Sequence, residues 1–291
     1  MKKIVVITGP TAVGKTAISI KLAKHFNGEI INADASIFHR DLNIGTAKIK
    51  KEEMDGVKHH LIDFISPTEE FSIKDFQIMA RKAIANIKTP FIVGGSGLYI
   101  NALITDYDLS SPKRNKEIYE GISNEELYQE LLKLDPKTAQ KVHVNNRRRV
   151  ERYLELIKNG TTETKEPKLL YDALIICLDK DRDKLYAQIN LRCEQMFTSG
   201  WIEEVIELEK KGIPVEKIKE IGYSDIDKYL RNEISLEEVK EEIKKKTRHY
   251  AKRQLTWFKN KMNCTFYNID EMGEEKLFSL ISDFINDKNN Y

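Results

Sequence analysis

Eight residues, Gly9-Pro10-Thr11-Ala12-Val13-Gly14-Lys15-Thr16, fit the pattern GxxxxGK[ST] and stand between an apolar run and a stretch of helical period. The chemistry this suits is the holding of a diphosphate. Glycines let the backbone turn its amides toward an anion, the helix N-terminus adds its dipole, Lys15 neutralises phosphate charge and Thr16 is placed to ligate magnesium. A kinase, a GTPase and a prenyl transferase can each use such a loop. The chain carries no NKxD guanine-reading segment, which counts against a GTPase. The second candidate is Asp34, a carboxylate at the end of the second apolar run, placed to take a proton from a weak nucleophile. The plainer alternative is a carboxylate near a bound magnesium ion, or a helix cap. His59 and His60 read as a packing and hydrogen-bonding pair, because no further His or Cys spacing builds a metal site around them.

These residues need a frame. Apolar runs rich in branched residues at Lys3–Thr8, Glu29–Ala33, Phe91–Gly94 and Ala173–Leu178 predict strands buried on both faces, with a fifth at Cys264–Ile269. Helix-period stretches at Lys15–His25 and Ile73–Ile87 lie between the early runs. The order predicts an α/β fold: a P-loop NTPase-like parallel sheet core with crossover helices. From about Lys113 the texture turns to charged amphipathic helix, at Glu125–Leu134, Arg147–Lys158, Asp183–Met196 and Ile202–Lys211. Two later helices, Leu236–Lys246 and a continuation to Lys261, carry many positive charges. We therefore expect a first part of the core over 1–112, a helical insertion over 113–168, and over 169–291 the rest of the core with further basic helices. The polar stretch Asn159–Lys168, with Gly160 and Pro167, predicts a flexible connection.

Composition sets outer limits. The chain has 291 residues, 41% hydrophobic and 32% charged, and no apolar run near the roughly 20 residues that span a bilayer. Its start, MKKIVVITGP, has too short an apolar stretch for a signal peptide and reads as a strand. Cys177, Cys193 and Cys264 are odd in number and far apart, which suits a reducing cytoplasm better than a disulfide framework. With 48 basic against 46 acidic residues the net charge is only +2, so a nucleic-acid surface has to come from local clustering.

Further segments turn these separate signals into a resemblance. The loop Gly9–Thr16 reproduces the GPTAxGKT form found in the tRNA dimethylallyltransferases, the bacterial isopentenyl transferase family. The family's DSMQ segment is matched at Asp34-Ala35-Ser36-Ile37, which keeps the aspartate but has Ala35 for the serine and Ile37 for the glutamine. Ile44-Gly45-Thr46-Ala47-Lys48 matches IGTAK, His59-His60-Leu61-Ile62-Asp63 matches HHLID, and Val93–Tyr99 matches VGG[TS]xLY. Asn145–Glu155 resembles NDxxRxxRALE, with Asn146 in place of the aspartate and Tyr153 in place of the alanine. Gly222-Tyr223 and Lys252–Phe258 resemble the family's GY and KRQxTWF elements. One such segment is weak evidence. All of them in this order, over nearly the whole chain, are specific.

The resemblance implies transfer of a dimethylallyl group from dimethylallyl diphosphate to the N6 amino group of the adenosine beside the anticodon of tRNA, with diphosphate released. It implies Asp34 as base, Lys15 and Thr16 on the leaving group, Ser96 adding a hydrogen bond, the loop Gly9–Thr16 as diphosphate cradle and Mg2+ on Thr16. It assigns tRNA contacts to Asp34, Ala35, Ser36, Ile37, Thr46, Arg148, Arg149, Arg152, Gly222, Tyr223, Arg248, Lys252, Arg253, Gln254 and Trp257. Arg147 and Lys259 add to the basic helices, among which Tyr250, Trp257 and Phe258 are placed to stack on bases. The partner is the anticodon stem-loop, and the enzyme is expected to be a cytoplasmic monomer that needs no membrane. The alternatives are a P-loop kinase of a small metabolite, a prenyl transferase of free adenine nucleotides and an RNA-binding nucleotide switch. The first leaves the basic C-terminal helices unexplained, the second the helical middle, and the third predicts no covalent product.

Overall fold

The structure, a computed structural model, describes residues 1–107, 119–159 and 168–287. The strands are β1 (Lys3–Thr8), β2 (Glu29–Asn32), β3 (His59–His60), β4 (Pro90–Val93), β5 (Asp172–Asp179) and β6 (Thr265–Asn268). They form one sheet in the order β3-β2-β4-β1-β5-β6, and every pairing is parallel. Parallel neighbours require crossovers, and the chain supplies them as helices: α1 (Lys15–His25), α2 (Ile73–Asn86) and α3 (Gly97–Ile104) among the early strands, α7 (Arg182–Thr198), α8 (Trp201–Lys210), α9 (Tyr223–Leu230) and α10 (Leu236–Lys261) between β5 and β6. After β6 come the short α11 (Ile269–Met272) and then α12 (Glu274–Asn286).

Side chains of β1 alternate between two cores. Val5 and Ile7 join Ile18 and Leu22 of α1, Leu185 and Ile189 of α7, and Leu277 and Ile281 of α12. Ile4 and Val6 point the other way, to Phe76 and Ile84 of α2 and Ile100 and Leu103 of α3. Each such side chain contributes roughly 1.5–3 kcal/mol on burial, which fixes the strand register that places the loops after β1, β2 and β4 side by side. A third cluster, built on Trp201, Val205, Tyr223, Ile226, Val239 and Ile243, joins α8, α9 and α10 to Leu42.

Contacts divide the chain into two compact units, Met1–Asp106 with Leu169–Tyr291, and Tyr107–Lys168. The second unit contains α4 (Asn124–Leu134), α5 (Pro136–Ala139) and α6 (Arg147–Lys158), packed on Tyr119, Leu127, Leu131, Val150 and Leu154. Ser123 begins α4 with a capping box whose partner is Glu126. The expected boundary at 113, and residues 160–167 of the expected flexible connection, lie outside the described residues.

Two readings need correction. The helices expected at Leu236–Lys246 and beyond are a single 26-residue helix, started by a Ser235/Glu238 capping box and free of any proline or glycine that would divide it. Phe258, expected to stack on bases, is fully buried, because it lies on the apolar side of that helix with Ala251. Strand β3 and helices α3, α9 and α12 were not foreseen. With only two residues, β3 has no periodicity to read.

Candidate active site

The phosphate loop leaves the C-terminal end of β1 and enters α1 through Gly14, whose φ of 100° lies in the left-handed region. Gly9, at φ 139°, passes so near β5 that a Cβ there would sit 2.5 Å from the Leu178 carbonyl oxygen. Glycine alone fits both demands. Val13 is buried in the core and pins the loop from beneath. The Lys15 ammonium curls back to donate to the carbonyls of Gly9 (3.0 Å) and Pro10 (2.8 Å). Burial lowers its pKa to about 8, partly offset by the negative charge of Asp34 and reinforced by the positive charge of Arg192.

Two neighbouring strands bring the other groups to the same end of the sheet. Asn32 donates to the carbonyls of Asp34 and Leu61 and accepts from the Asp34 amide, which fixes the chain as it leaves β2. Asp34 then caps a single 3-10 turn, Ala35–Phe38, with Oδ1 accepting from the Ser36 hydroxyl at 2.8 Å. The cap reading is therefore correct as local structure, and it leaves the carboxylate on the cavity wall. From the turn after β4, the Ser96 hydroxyl accepts from the Ala35 amide at 3.1 Å. Gly94 permits this closeness, since a Cβ on it would stand 2.2 Å from Ala33.

A cavity of about 430 Å3 lies among these loops. Thr11, Ala12, Lys15, Thr16, Asp34, Ala35, Ser36, Ile37, Thr46, Ser96 and Arg253, all singled out from the sequence, line it. Pro10 and Gly14 belong to the loop without lining the cavity. The wall also includes Arg192, which sequence reasoning missed. Arg192 lies on the face of α7 that carries Ile189, Cys193 and Met196, a cation within an apolar helical stripe, and that spacing was the available signal. Burial depresses its pKa, opposed by Asp34. Tyr250 of α10, also on the wall, has its phenol pushed upward by burial and by Asp34.

The structure gives several expected tRNA residues an internal task. Gln254 is buried and spans two loops, accepting from the Thr11 amide at 2.9 Å and donating to the Gly95 carbonyl at 3.0 Å. Tyr223 is fully buried, and its hydroxyl donates to Glu204. Gly222, at φ 102°, gives room to the Trp201 indole. Arg248 donates to Asn190 on α7. Trp257 packs on Gly97. Lys252 and Arg253 stay exposed on α10, the latter 5.7 Å over the Tyr250 ring, and Lys259 covers Phe266.

In the second unit the four arginines of α6 divide. Arg147 donates to the carbonyls of Ile122 and Tyr119 and pairs with Glu151, so it serves the fold of that unit. Arg148 and Arg149 are exposed, and Arg152 is half-buried beside Glu155. His60 bonds Glu29 and His59 bonds the Val57 carbonyl, as a packing and hydrogen-bonding pair would. No group of three His, Cys, Asp or Glu side chains suited to a metal occurs among the described residues, and no helix among them is long and apolar enough to cross a membrane.

Residues 37–261 match the sequence model of the IPP transferase family. A tRNA dimethylallyltransferase of Anoxybacillus flavithermus is 44% identical over 93% of this chain and 91% of its own length. A crystal structure of a tRNA isopentenylpyrophosphate transferase from Bacillus halodurans superposes with a TM-score of 0.76 at 40% identity, covering 98% of this chain and 97% of that one. A eukaryotic dimethylallyltransferase captured acting on tRNA superposes at 0.83, with 28% identity over 98% of this chain and 80% of its own. These names favour prenyl transfer to tRNA over the kinase alternative.

Proposed function

The chain belongs to the IPP transferase family, whose members compared above are tRNA prenyltransferases, and from that premise we propose the reaction its cavity performs. The amino group N6 of an adenosine beside the anticodon attacks the allylic carbon of dimethylallyl diphosphate. A C–N bond forms as the C–O bond to diphosphate breaks, and the proton shed by the amine passes to Asp34. The observation that carries this reading is that a carboxylate, Asp34, lines the same cavity as residues of the phosphate loop and the cations Lys15 and Arg192.

Each group has work that grows in the transition state. An exocyclic adenine amine is a poor nucleophile, and a carboxylate that accepts its proton contributes typically about 10^2–10^4-fold. Negative charge builds on the leaving oxygen, where Lys15, Arg192 and the loop amides act. Thr16, exposed at the start of α1, carries a hydroxyl that is a hard oxygen donor fitting magnesium, and with no group of three His, Cys, Asp or Glu side chains suited to a metal among the described residues, most ligands would come from diphosphate and water. Bound there, magnesium would supply further charge neutralisation on the leaving group. Ser96 orients the Asp34 turn. Arg148, Arg149, Lys252 and Arg253 contact tRNA phosphates, and the target base leaves its stack to enter the cavity, at a cost of a few kcal/mol. The reading includes a monomer at work in the cytoplasm.

The test is incubation of the purified protein with labelled dimethylallyl diphosphate, magnesium and unmodified tRNA carrying adenosine beside the anticodon. The expected result is label in tRNA with wild type, and a rate lower by about 10^2–10^4-fold with Asp34→Ala. No transfer to tRNA, with phosphate transfer from ATP to a metabolite instead, would return the kinase alternative.

A further inference from the structure

One carboxylate outside the catalytic set is unusually heavily used. Glu204, in the first turn of α8, accepts three consecutive backbone amides from a remote segment: Asn43 at 2.9 Å, Ile44 at 2.7 Å and Gly45 at 3.2 Å. Its Oε1 also accepts the buried Tyr223 hydroxyl at 2.7 Å. The same segment is fitted against Trp201, three residues earlier on α8. A Cβ on Gly45 would lie 2.3 Å from the Trp201 indole nitrogen, and one on Gly222 would lie 2.2 Å from the far side of that ring. The indole is thus flanked by two glycines, fully buried, with its N–H unpartnered. Burying that donor costs free energy, so the packing rather than hydrogen bonding of Trp201 holds it there. The segment has its own inner bonds: the Thr46 hydroxyl to the Leu42 carbonyl at 2.6 Å, and the Lys48 ammonium to the His39 carbonyl at 2.6 Å. Gly45, Thr46 and Ala47 line the cavity.

We propose that Glu204 is a positioning residue, a four-point acceptor that holds the Asn43–Ala47 turn at the shape in which it forms one wall of the substrate cavity. Charge-assisted bonds donated by several amides to one carboxylate are directional, so one residue sets the path of three. The diphosphate holders are anchored independently, on β1, β5 and Gln254. Loss of Glu204 therefore disturbs the nucleobase side of the reaction before the diphosphate side. This rests on the function proposed above, and the test separates the two.

Glu204→Gln keeps the size of the side chain and replaces one accepting oxygen with a donor. Hydrogen exchange of the free protein, followed by mass spectrometry on peptides covering 39–50 and 3–8, reads the clamp without any substrate. We expect exchange at least about tenfold faster in the first peptide and unchanged in the second, and with substrates a KM for tRNA raised about tenfold while that for dimethylallyl diphosphate stays within about twofold. Tyr223→Phe removes one of the four donors and should move both readouts in the same direction by less. Unchanged exchange at 39–50, faster exchange in both peptides, equal rises in both KM values, or a Tyr223→Phe effect as large as that of Glu204→Gln would each overturn the clamp. A wild type that transfers no label to tRNA would overturn the functional reading, and the exchange data would still decide the clamp.

Discussion

The phosphate loop and the Asn43–Ala47 turn wall one cavity, but they are held by opposite means. The loop is shaped mainly by itself: its glycines take the φ values only they accept readily, and Lys15 bonds carbonyls five and six residues back. The turn is shaped from a distance, by Glu204 about 160 residues later in the chain. A locally shaped element tolerates change elsewhere and fails when its own residues change. A remotely shaped element does the reverse, so its weak points lie outside its own sequence.

The largest effect that would sharpen this contrast belongs to the loop. Lys15→Ala should lower kcat/KM for dimethylallyl diphosphate by about 10^3-fold, the scale of losing a strong charge stabiliser in a shielded site, and leave tRNA affinity within about twofold. Steady-state kinetics with tRNA binding in parallel checks it. An equal loss of tRNA affinity would break the division between the two walls.

Gln254 is the exception on the loop's side, a long-range side chain that joins Thr11 to the turn after β4. Gln254→Leu leaves a backbone N–H and a carbonyl without partners, each worth roughly 1–3 kcal/mol when buried. We expect a loss of about 2 kcal/mol in stability by urea unfolding and about thirtyfold in kcat/KM. A catalytic loss without any stability loss would mean that Gln254 touches substrate instead of tying loops.

What was legible in the sequence follows the same division. Strand β1, the loop and helix α1 are contiguous, and their periods and glycines are read in place. Asp34 was legible as a carboxylate at a strand end, though only the structure shows Asn32 fixing its backbone. Arg192, Glu204 and the internal task of Gln254 were not legible, because each acts on residues far away in the chain and carries no local pattern. Tyr223 and Phe258 show the limit from the other direction: a motif names the residue but does not say which way it faces.

The second unit offers a smaller contrast within one helix, between Arg147, spent on carbonyls and Glu151, and the exposed Arg148 and Arg149. Replacing both Arg148 and Arg149 with Ala should weaken tRNA binding about tenfold and reduce the salt dependence of log K by about 1 per arginine. Dimethylallyl diphosphate kinetics should hold. Binding titrations at several salt concentrations decide, and an unchanged slope would leave these arginines as a solvated face.

The smallest effect concerns the proton on Lys15. Burial holds its pKa at about 8 in the folded protein, whereas the unfolded chain has the ordinary value of 10.5. Between these values the unfolded state binds more protons, so the stability of the protein without added ligand rises with pH across that window. Diphosphate reverses the balance, because its charge favours the ammonium, and binding above pH 8 must take up a proton. Affinity for inorganic diphosphate should accordingly fall about fourfold between pH 7 and pH 8.5, with proton uptake visible as a dependence of the calorimetric enthalpy on the buffer. Lys15→Arg cannot lose its proton in this range and should flatten the profile. A fall that persists in Lys15→Arg would place the titrating group elsewhere in the cavity. The contrast then sharpens: the group that shapes the loop through its carbonyls would not be the group that sets its affinity.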